Sequence, residues 1–209
     1  MELAGVITGA IALIISVILA WKNYLSPFNV EVFCGNPRLE PIPQRLKDGG
    51  TVIRFSAILP LYFVNTGACD GIISDIALIV KSDKNIWLFQ PFFYTKYGMQ
   101  TEPTLGKKLT EDPSNEPFYP IHLAGKSKVY KSIAFVTLES ASFPLGANPL
   151  LAGKYNFKVK TLESDKRDYE TKLVFNITLG NEQINHLSTG NYLIPFLDEV
   201  KDKRQRLRN

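Results

Sequence analysis

The stretch Ile53-Arg54-Phe55-Ser56-Ala57-Ile58-Leu59-Pro60-Leu61-Tyr62-Phe63-Val64-Asn65-Thr66-Gly67 decides the fold. Ile53, Phe55, Ala57, Leu59, Leu61 and Phe63 alternate without a break, the period of a strand with one buried face. The run ends in Asn-Thr-Gly, and a second alternation begins at Gly71-Ile72-Ile73-Ser74-Asp75-Ile76-Ala77-Leu78. Asn65 can bond its own backbone two residues on, and Gly67 can take positive φ, so a turn is expected here.

Working outward, the same period recurs along the chain. Tyr155, Phe157 and Val159 alternate with Lys154, Asn156, Lys158 and Lys160, which predicts a half-buried strand with a wet lysine face. Tyr169, Thr171, Leu173, Phe175 and Ile177 repeat the pattern after a polar turn at Glu163 to Asp168, so these two runs form a hairpin. Further strands are expected at Asn29–Cys34, Ile72–Lys81, Ile86–Tyr94 and Lys128–Thr137. No run between Phe28 and Gly180 follows a helical period. Strands punctuated by Gly, Pro, Asn and Asp predict a mainly β domain, an immunoglobulin-like antiparallel β-sandwich, over residues 25–180. Met99 to Tyr119, with Pro103, Gly106, Pro113 and Pro117, reads as an extended loop or insertion. The Asn-Thr-Gly stretch resembles the strand–turn–strand hairpin of immunoglobulin-like and CARDB-type β-sandwich modules. With Ser26-Pro27-Phe28, the arrangement is similar to a group of small prokaryotic single-pass membrane proteins. That resemblance implies a fold class and an adhesive, scaffolding or unassigned role, and it carries no catalytic residue.

Ahead of the domain, Leu3 to Trp21 is an uncharged run of 19 residues. As a helix it spans about 28 Å, close to the ~30 Å hydrocarbon thickness of a bilayer. A secretory signal would want a basic flank, a shorter apolar core and small residues at the cut. Here Glu2 precedes the run and Ile18 stands where a small residue belongs, so residues 1–24 are expected to be an uncleaved transmembrane anchor. Trp21 and Tyr24 suit the headgroup level. Thr8, Ala12, Ser16 and Ala20 recur every four residues beside the pair Gly5 and Gly9, a stripe suited to helix–helix packing and homo-oligomerisation. No base precedes the helix, while Lys22 and Arg38 follow it, which leans toward a cytoplasmic domain, with an extracytoplasmic one as the alternative.

The chain has 209 residues with 24 Lys+Arg against 20 Asp+Glu, but the charge is uneven. The last nine residues hold five bases and one acid, so the remaining body is neutral. No nucleic-acid partner is expected from so mild a balance. In the tail, residues 181–209, Pro195 suits a helix's first turn, acids follow at Asp198 and Glu199, and Lys201, Lys203, Arg204, Arg206 and Arg208 fill the end. This short C-terminal helix is either a solvated tail or a contact for an anionic lipid surface.

Chemistry is sparse. His122 and His186 have no ligand at close spacing, and no nucleophile elbow, phosphate loop or calcium loop occurs. Gly49-Gly50 reads as a hairpin turn, and Glu163, Asp165 and Asp168 surround Lys166 and Arg167. No catalytic residue, metal or other cofactor is therefore expected. Cys34 and Cys69 are either separate thiols or a bridge across the domain. The remaining feature is Trp87-Leu88-Phe89-Gln90-Pro91-Phe92-Phe93-Tyr94-Thr95-Lys96-Tyr97, six aromatics in eleven residues. A strand cannot bury both faces unless something covers the second. Trp87, Phe89, Phe92, Phe93, Tyr94 and Tyr97 are either covered by the following loop or form a face for a partner, sugar or lipid. The expected function is a membrane-anchored, non-catalytic binding or scaffolding module whose partners are the bilayer and another membrane or surface protein. Two alternatives stand beside it. One is an enzyme or accessory subunit acting on envelope polymers or lipids, drawing on His122, Asp75 or Glu102. The other is a carbohydrate-binding module with coplanar exposed rings.

Overall fold

A computed structural model describes residues 2–45, 51–83, 85–95, 116–137, 151–195 and 197–200. Helix α1 (Glu2–Ala20) continues into one π-helical turn (Trp21–Leu25), and residues Val6–Leu25 form a helix long and apolar enough to span a membrane. Its apolar side chains from Val6 to Leu19 are all exposed, as an element solvated by lipid would be.

Beyond the helix the chain is β1 (Val30–Cys34), β2 (Arg38–Arg45), β3 (Thr51–Asn65), β4 (Gly71–Lys81), β5 (Ile86–Thr95), β6 (Glu116–Pro117), β7 (Ile121–Leu123), β8 (Lys128–Thr137), β9 (Gly153–Glu163), β10 (Glu170–Leu179), α2 (Asn181–Ser188) and β11 (Glu199–Val200). The expected mainly β, antiparallel domain is present. Its strands join in one continuous antiparallel sheet of order β1-β3-β8-β5-β4-β9-β10-β11. The immunoglobulin-like division into two sheets is not seen in this pairing. The sheet instead curls toward a barrel, with β1 coming to lie beside β10. Bulges in β4 (between Ile73 and Asp75), β5 (between Pro91 and Phe93) and β10 (between Thr171 and Leu173) supply local bends that such curling uses.

β2 has no counterpart among the expected strands, because Pro41 and Pro43 read as breakers. They are tolerated because β2 is an edge. Leu39 exchanges backbone hydrogen bonds with Leu193 on the side away from β3 (N to O 2.8 and 2.9 Å). Residues 41 and 43 share its parity, so their missing N–H groups also point away from the β3 ladder. Pro60 within β3 obeys the same logic. Its carbonyl accepts from Gly35 N (2.9 Å), so its missing N–H faces the gap where the edge passes from β1 to β2.

One core fills the curl, led by Phe63, Phe89, Phe135, Phe157 and Phe175. The Phe157 and Phe175 rings stack at 5.0 Å across the β9–β10 hairpin. The lysine face expected on β9 is realised: Tyr155, Phe157 and Val159 are inside, and Lys154 and Lys158 are exposed.

The C-terminal segment bridges the two sheet edges. A short helix is present at Asn181–Ser188, earlier than the one expected to start at Pro195. Leu187 of that helix enters the core, and Leu193 binds β2. On the other side Asp198 N bonds Asn176 O (3.0 Å) and Glu199–Val200 pairs with β10. Asp198 and Glu199 are thus drawn into strand pairing by the open backbone groups of β10 in place of a helix's first turn. Buried Arg38 anchors the strap from β2, its Nη2 lying 2.6 Å from Glu40 and its guanidinium 3.7 Å from the Tyr192 ring centre.

Cys34 and Cys69 are both free. Cys34 is at the far end of β1, four residues from Val30, which pairs with Asn65 next to the Cys69 turn. That places about 13 Å of strand between them, too far for a bridge. Burial pushes the Cys34 thiol well above its ordinary range, whereas Cys69 is exposed. Without reductant, a maleimide is expected to label Cys69 quickly and Cys34 only on unfolding. Intact-mass analysis that found no alkylation of native or denatured protein until a reductant was added would contradict this arrangement.

Candidate functional site

The site begins where the helix meets the barrel. Asn65 ends β3, is 1% exposed, and uses its whole carboxamide on backbone. Its Oδ1 accepts from Gly67 N (3.0 Å) and Asn29 N (3.3 Å), and its Nδ2 donates to Cys69 O (2.8 Å) and Ala124 O (3.0 Å). The bond to Gly67 is the expected Asn turn; the other three join the helix exit, the β3–β4 turn and the β7–β8 turn.

Ser26 extends the clamp. Its carbonyl accepts from Ala68 N (3.0 Å) and Cys69 N (3.1 Å), and its hydroxyl accepts from Ala68 N (2.8 Å) and donates to Lys22 O (3.1 Å). Lys126 Nζ reaches back to Asn23 Oδ1 (3.0 Å), and Asp70 Oδ1 accepts from Gly125 N (2.8 Å). The expected positive φ at Gly67 is not found; Gly153 and Gly190 are the described glycines with that backbone. Gly67 is needed for proximity: a Cβ there would sit 1.8 Å from the Pro27 carbonyl oxygen. At Gly71 it would sit 2.2 Å from the Phe28 ring. The signal for both contacts was in Ser26-Pro27-Phe28 and the paired glycines, but nothing local said that those segments touch.

The same end of the barrel carries the β9–β10 turn, held by charge. Glu163 is 1% exposed, with Lys172 Nζ 2.7 Å and Lys166 Nζ 3.0 Å from its carboxylate. Both lysines also meet Glu170, each at 2.8 Å. Four opposite charges in alternation make a neutral pin. This explains why the acids and bases of this turn are interleaved and why it offers no calcium cage. Hydrogen bonds from Lys166 and then Lys172 pull the Glu170 carboxyl down to about 2. Tyr169 donates to Asp75 at the β4 bulge, and that bond, with burial, raises the phenol to about 12.

The aromatic strand β5 divides among three environments. Phe89 and Tyr94 are core residues, and Trp87 packs half-buried against the core, 5.8 Å from the Tyr155 ring. Phe93 joins Ile58 and Ala134 in a second small buried cluster. Phe92, 58% exposed, faces solvent, and Tyr97 lies outside the described residues. Part of the cover comes from within the expected loop: Phe118 and Tyr119 lie 5.4 and 4.7 Å from the Tyr94 ring. The Tyr94 hydroxyl donates to the Tyr119 carbonyl, and Lys131 Nζ sits 4.5 Å above the Tyr94 ring. Burial raises the Tyr94 phenol above its ordinary range.

The other sequence candidates are dispersed. Thr8, Gly9, Ala12, Ser16 and Ala20 lie on the exposed helix with Gly5, and Ser16 Oγ donates to Ala12 O (2.8 Å) on that helix. His122 is exposed on β7 opposite Ile72, and no hydrogen bond joins it to Asp75. Glu102, most of the Met99–Tyr119 segment, and the basic residues Lys201, Lys203, Arg204, Arg206 and Arg208 lie outside the described residues. Among the described residues no group of His, Cys, Asp and Glu is arranged to hold a metal. No family model matches the chain, and no curated protein or solved structure matches it.

Two measurements probe this end of the molecule. Asn65→Ala removes four hydrogen bonds to backbone, one buried and three partly buried, and is expected to cost about 2–4 kcal/mol by urea denaturation of the detergent-solubilised chain. Thr66→Ala, which loses only exposed hydrogen bonds, is expected to cost under about 1 kcal/mol; equal costs would deny Asn65 its role. Because the folded Glu170 pKa lies below the unfolded value, its stabilisation is full above about 4.5 and is lost as pH falls toward about 2. Native stability of Glu170→Gln is therefore expected to be flatter than wild type across that window.

Proposed function

We propose that this chain is a single-pass membrane protein whose β domain is a non-catalytic binding or scaffolding module held in fixed orientation at the bilayer surface. The observation that carries the reading is the clamp at the helix exit. A domain tethered only for localisation needs a flexible linker; here Ser26 bonds the β3–β4 turn directly after the last helical residue, Leu25. Exposed Trp21 and Tyr24 stand at the headgroup level immediately before that junction. The domain's membrane-proximal end is then the one bearing the β3–β4, β7–β8 and β9–β10 turns. Lys22 and Arg38 after the helix favour the cytoplasmic side. The exposed small-residue stripe on α1 offers the route to a homo-oligomer in the membrane.

The test is depth and extraction. In a Trp87→Phe background, Trp21 fluorescence is expected to be quenched most by lipids brominated near the headgroup, and the chain should resist alkaline carbonate and leave membranes only with detergent. Release by carbonate, or quenching strongest at the bilayer centre, would refute the anchored reading.

A further inference from the structure

The outer face of β5, β4, β9 and β10 sets exposed apolar side chains beside lysines. Reading straight across the sheet, one row is Leu88, Ile79, Lys158 and Val174, and the next is Ile86, Lys81, Asn156 and Asn176. A third row places Ala77 beside Lys160. Ile86 is 48% exposed and Leu88 43%, on two successive outward positions of β5 continued across the sheet by half-buried Ile79 and Val174; exposed Gln90 follows on β5, and Phe92, 58% exposed, lies beyond it at the bulge. Beside these residues stand Lys81, Lys158 and Lys160, with Lys154 at the end of β9. Among the described residues none of these lysines is in an ion pair. No acid occupies the outward positions of β5 or β9, and Asp75 of β4 is engaged by Tyr169. The result is an apolar strip flanked by uncompensated positive charge, spread over strands about 4.8 Å apart.

We propose that this face docks an acidic protein segment that alternates carboxylates with apolar side chains. The proposal rests on the reading of the chain as a membrane-anchored binding module and names the partner's chemistry. Charge complementarity selects an anion, and the apolar strip selects one with hydrophobic side chains. A second copy of this chain is disfavoured, because a two-fold contact through this face would set lysines against lysines. A lipid surface is disfavoured by position. Asn156, in the row of Lys81 and Ile86, is seven residues along β9 from Glu163 at the membrane-proximal end, about 24 Å of strand. Nor is this strand addition, since β5 is already paired with β4 and β6 on one edge and β8 on the other. Recognition is by side chains across the pleat.

The experiment uses the full chain in nanodiscs of uncharged phosphatidylcholine and a short fluorescent peptide of alternating Glu and Leu, with a Lys–Leu peptide as control. Anisotropy is expected to show binding of the Glu–Leu peptide alone, weakened by salt at about 0.3 M. Lys158→Glu with Lys160→Glu is expected to weaken it at least about tenfold, and Ile86→Ser with Leu88→Ser to weaken it severalfold. Lys128→Glu, on an exposed lysine at the start of β8, should leave it unchanged. All of these are outward-facing, and circular dichroism melts should coincide with wild type. The proposal is overturned if the Glu–Leu peptide fails to bind, if it binds the charge-reversed variant equally, or if loss of Ile86 and Leu88 has no effect. It is also overturned if nanodiscs containing anionic lipid block the face in a Lys158- and Lys160-dependent manner, which would assign it to the membrane. Any of these leaves the anchored reading standing, because that reading is tested by Trp21 depth and carbonate extraction.

Discussion

A buried carboxamide with every hydrogen-bonding site on backbone is a constraint that the molecule cannot relax piecemeal. Asn65 sits at the end of the longest strand and bonds three different chain segments at once. Each of those hydrogen bonds, one buried and three partly buried, contributes about 0.5–1.5 kcal/mol. The helix exit, the β3–β4 turn and the β7–β8 turn therefore keep one arrangement or lose several bonds together. Gly67 and Gly71 allow this, because any side chain at either position would occupy space held by Pro27 or Phe28. The direction of α1 relative to the barrel follows from this contact.

The barrel itself is completed by different means at its open seam. β1 and β10 approach without forming a ladder, and the C-terminal segment ties the two edges from outside. One tie is the Leu39–Leu193 exchange with Arg38 under Tyr192; the other is the short pairing of β11 with β10. Prolines at 41 and 43 remove the donors at two successive outward positions of the β2 edge, which limits strand addition there. At the end of the barrel that meets α1, the ion-paired β9–β10 turn stiffens a segment whose acids and bases would otherwise be free surface charge. A wall so braced presents its outer face as a fixed surface, which suits docking better than induced closure.

Much of this could be read from the chain. Alternation located β1, β3, β4, β5, β8, β9 and β10 within a residue or a few, because a half-buried strand writes its two faces directly into sequence. It failed at β2, where the prolines are permitted only by an edge position, and at β6 and β7, too short to show a period. It also failed within β5. Trp87 and Phe89 face the main core on odd positions, but the bulge at Phe92 shifts the phase so that Tyr94 faces that core and Phe93 the opposite side of the sheet, where it is buried with Ile58 and Ala134. An aromatic run that looked two-sided is thus one strand changing phase midway: Phe118 and Tyr119 pack on Tyr94, Phe93 is buried on the other face, and Phe92 is exposed.

What the sequence determined by itself was everything set by short-range periodicity: an uncharged helix of membrane-spanning length, a mainly antiparallel domain behind it, and a lysine face on β9. What only the tertiary structure decided were the contacts between segments distant along the chain. These are the curl of one continuous sheet, the grip of Asn65 and Gly67 on the helix exit, and the meeting of Leu88 with Lys158 through Ile79. Periodicity reports which side of an element is buried, but which element lies next to it depends on pairing order and on bulges. Those are fixed by the packing and backbone hydrogen bonding of the whole fold.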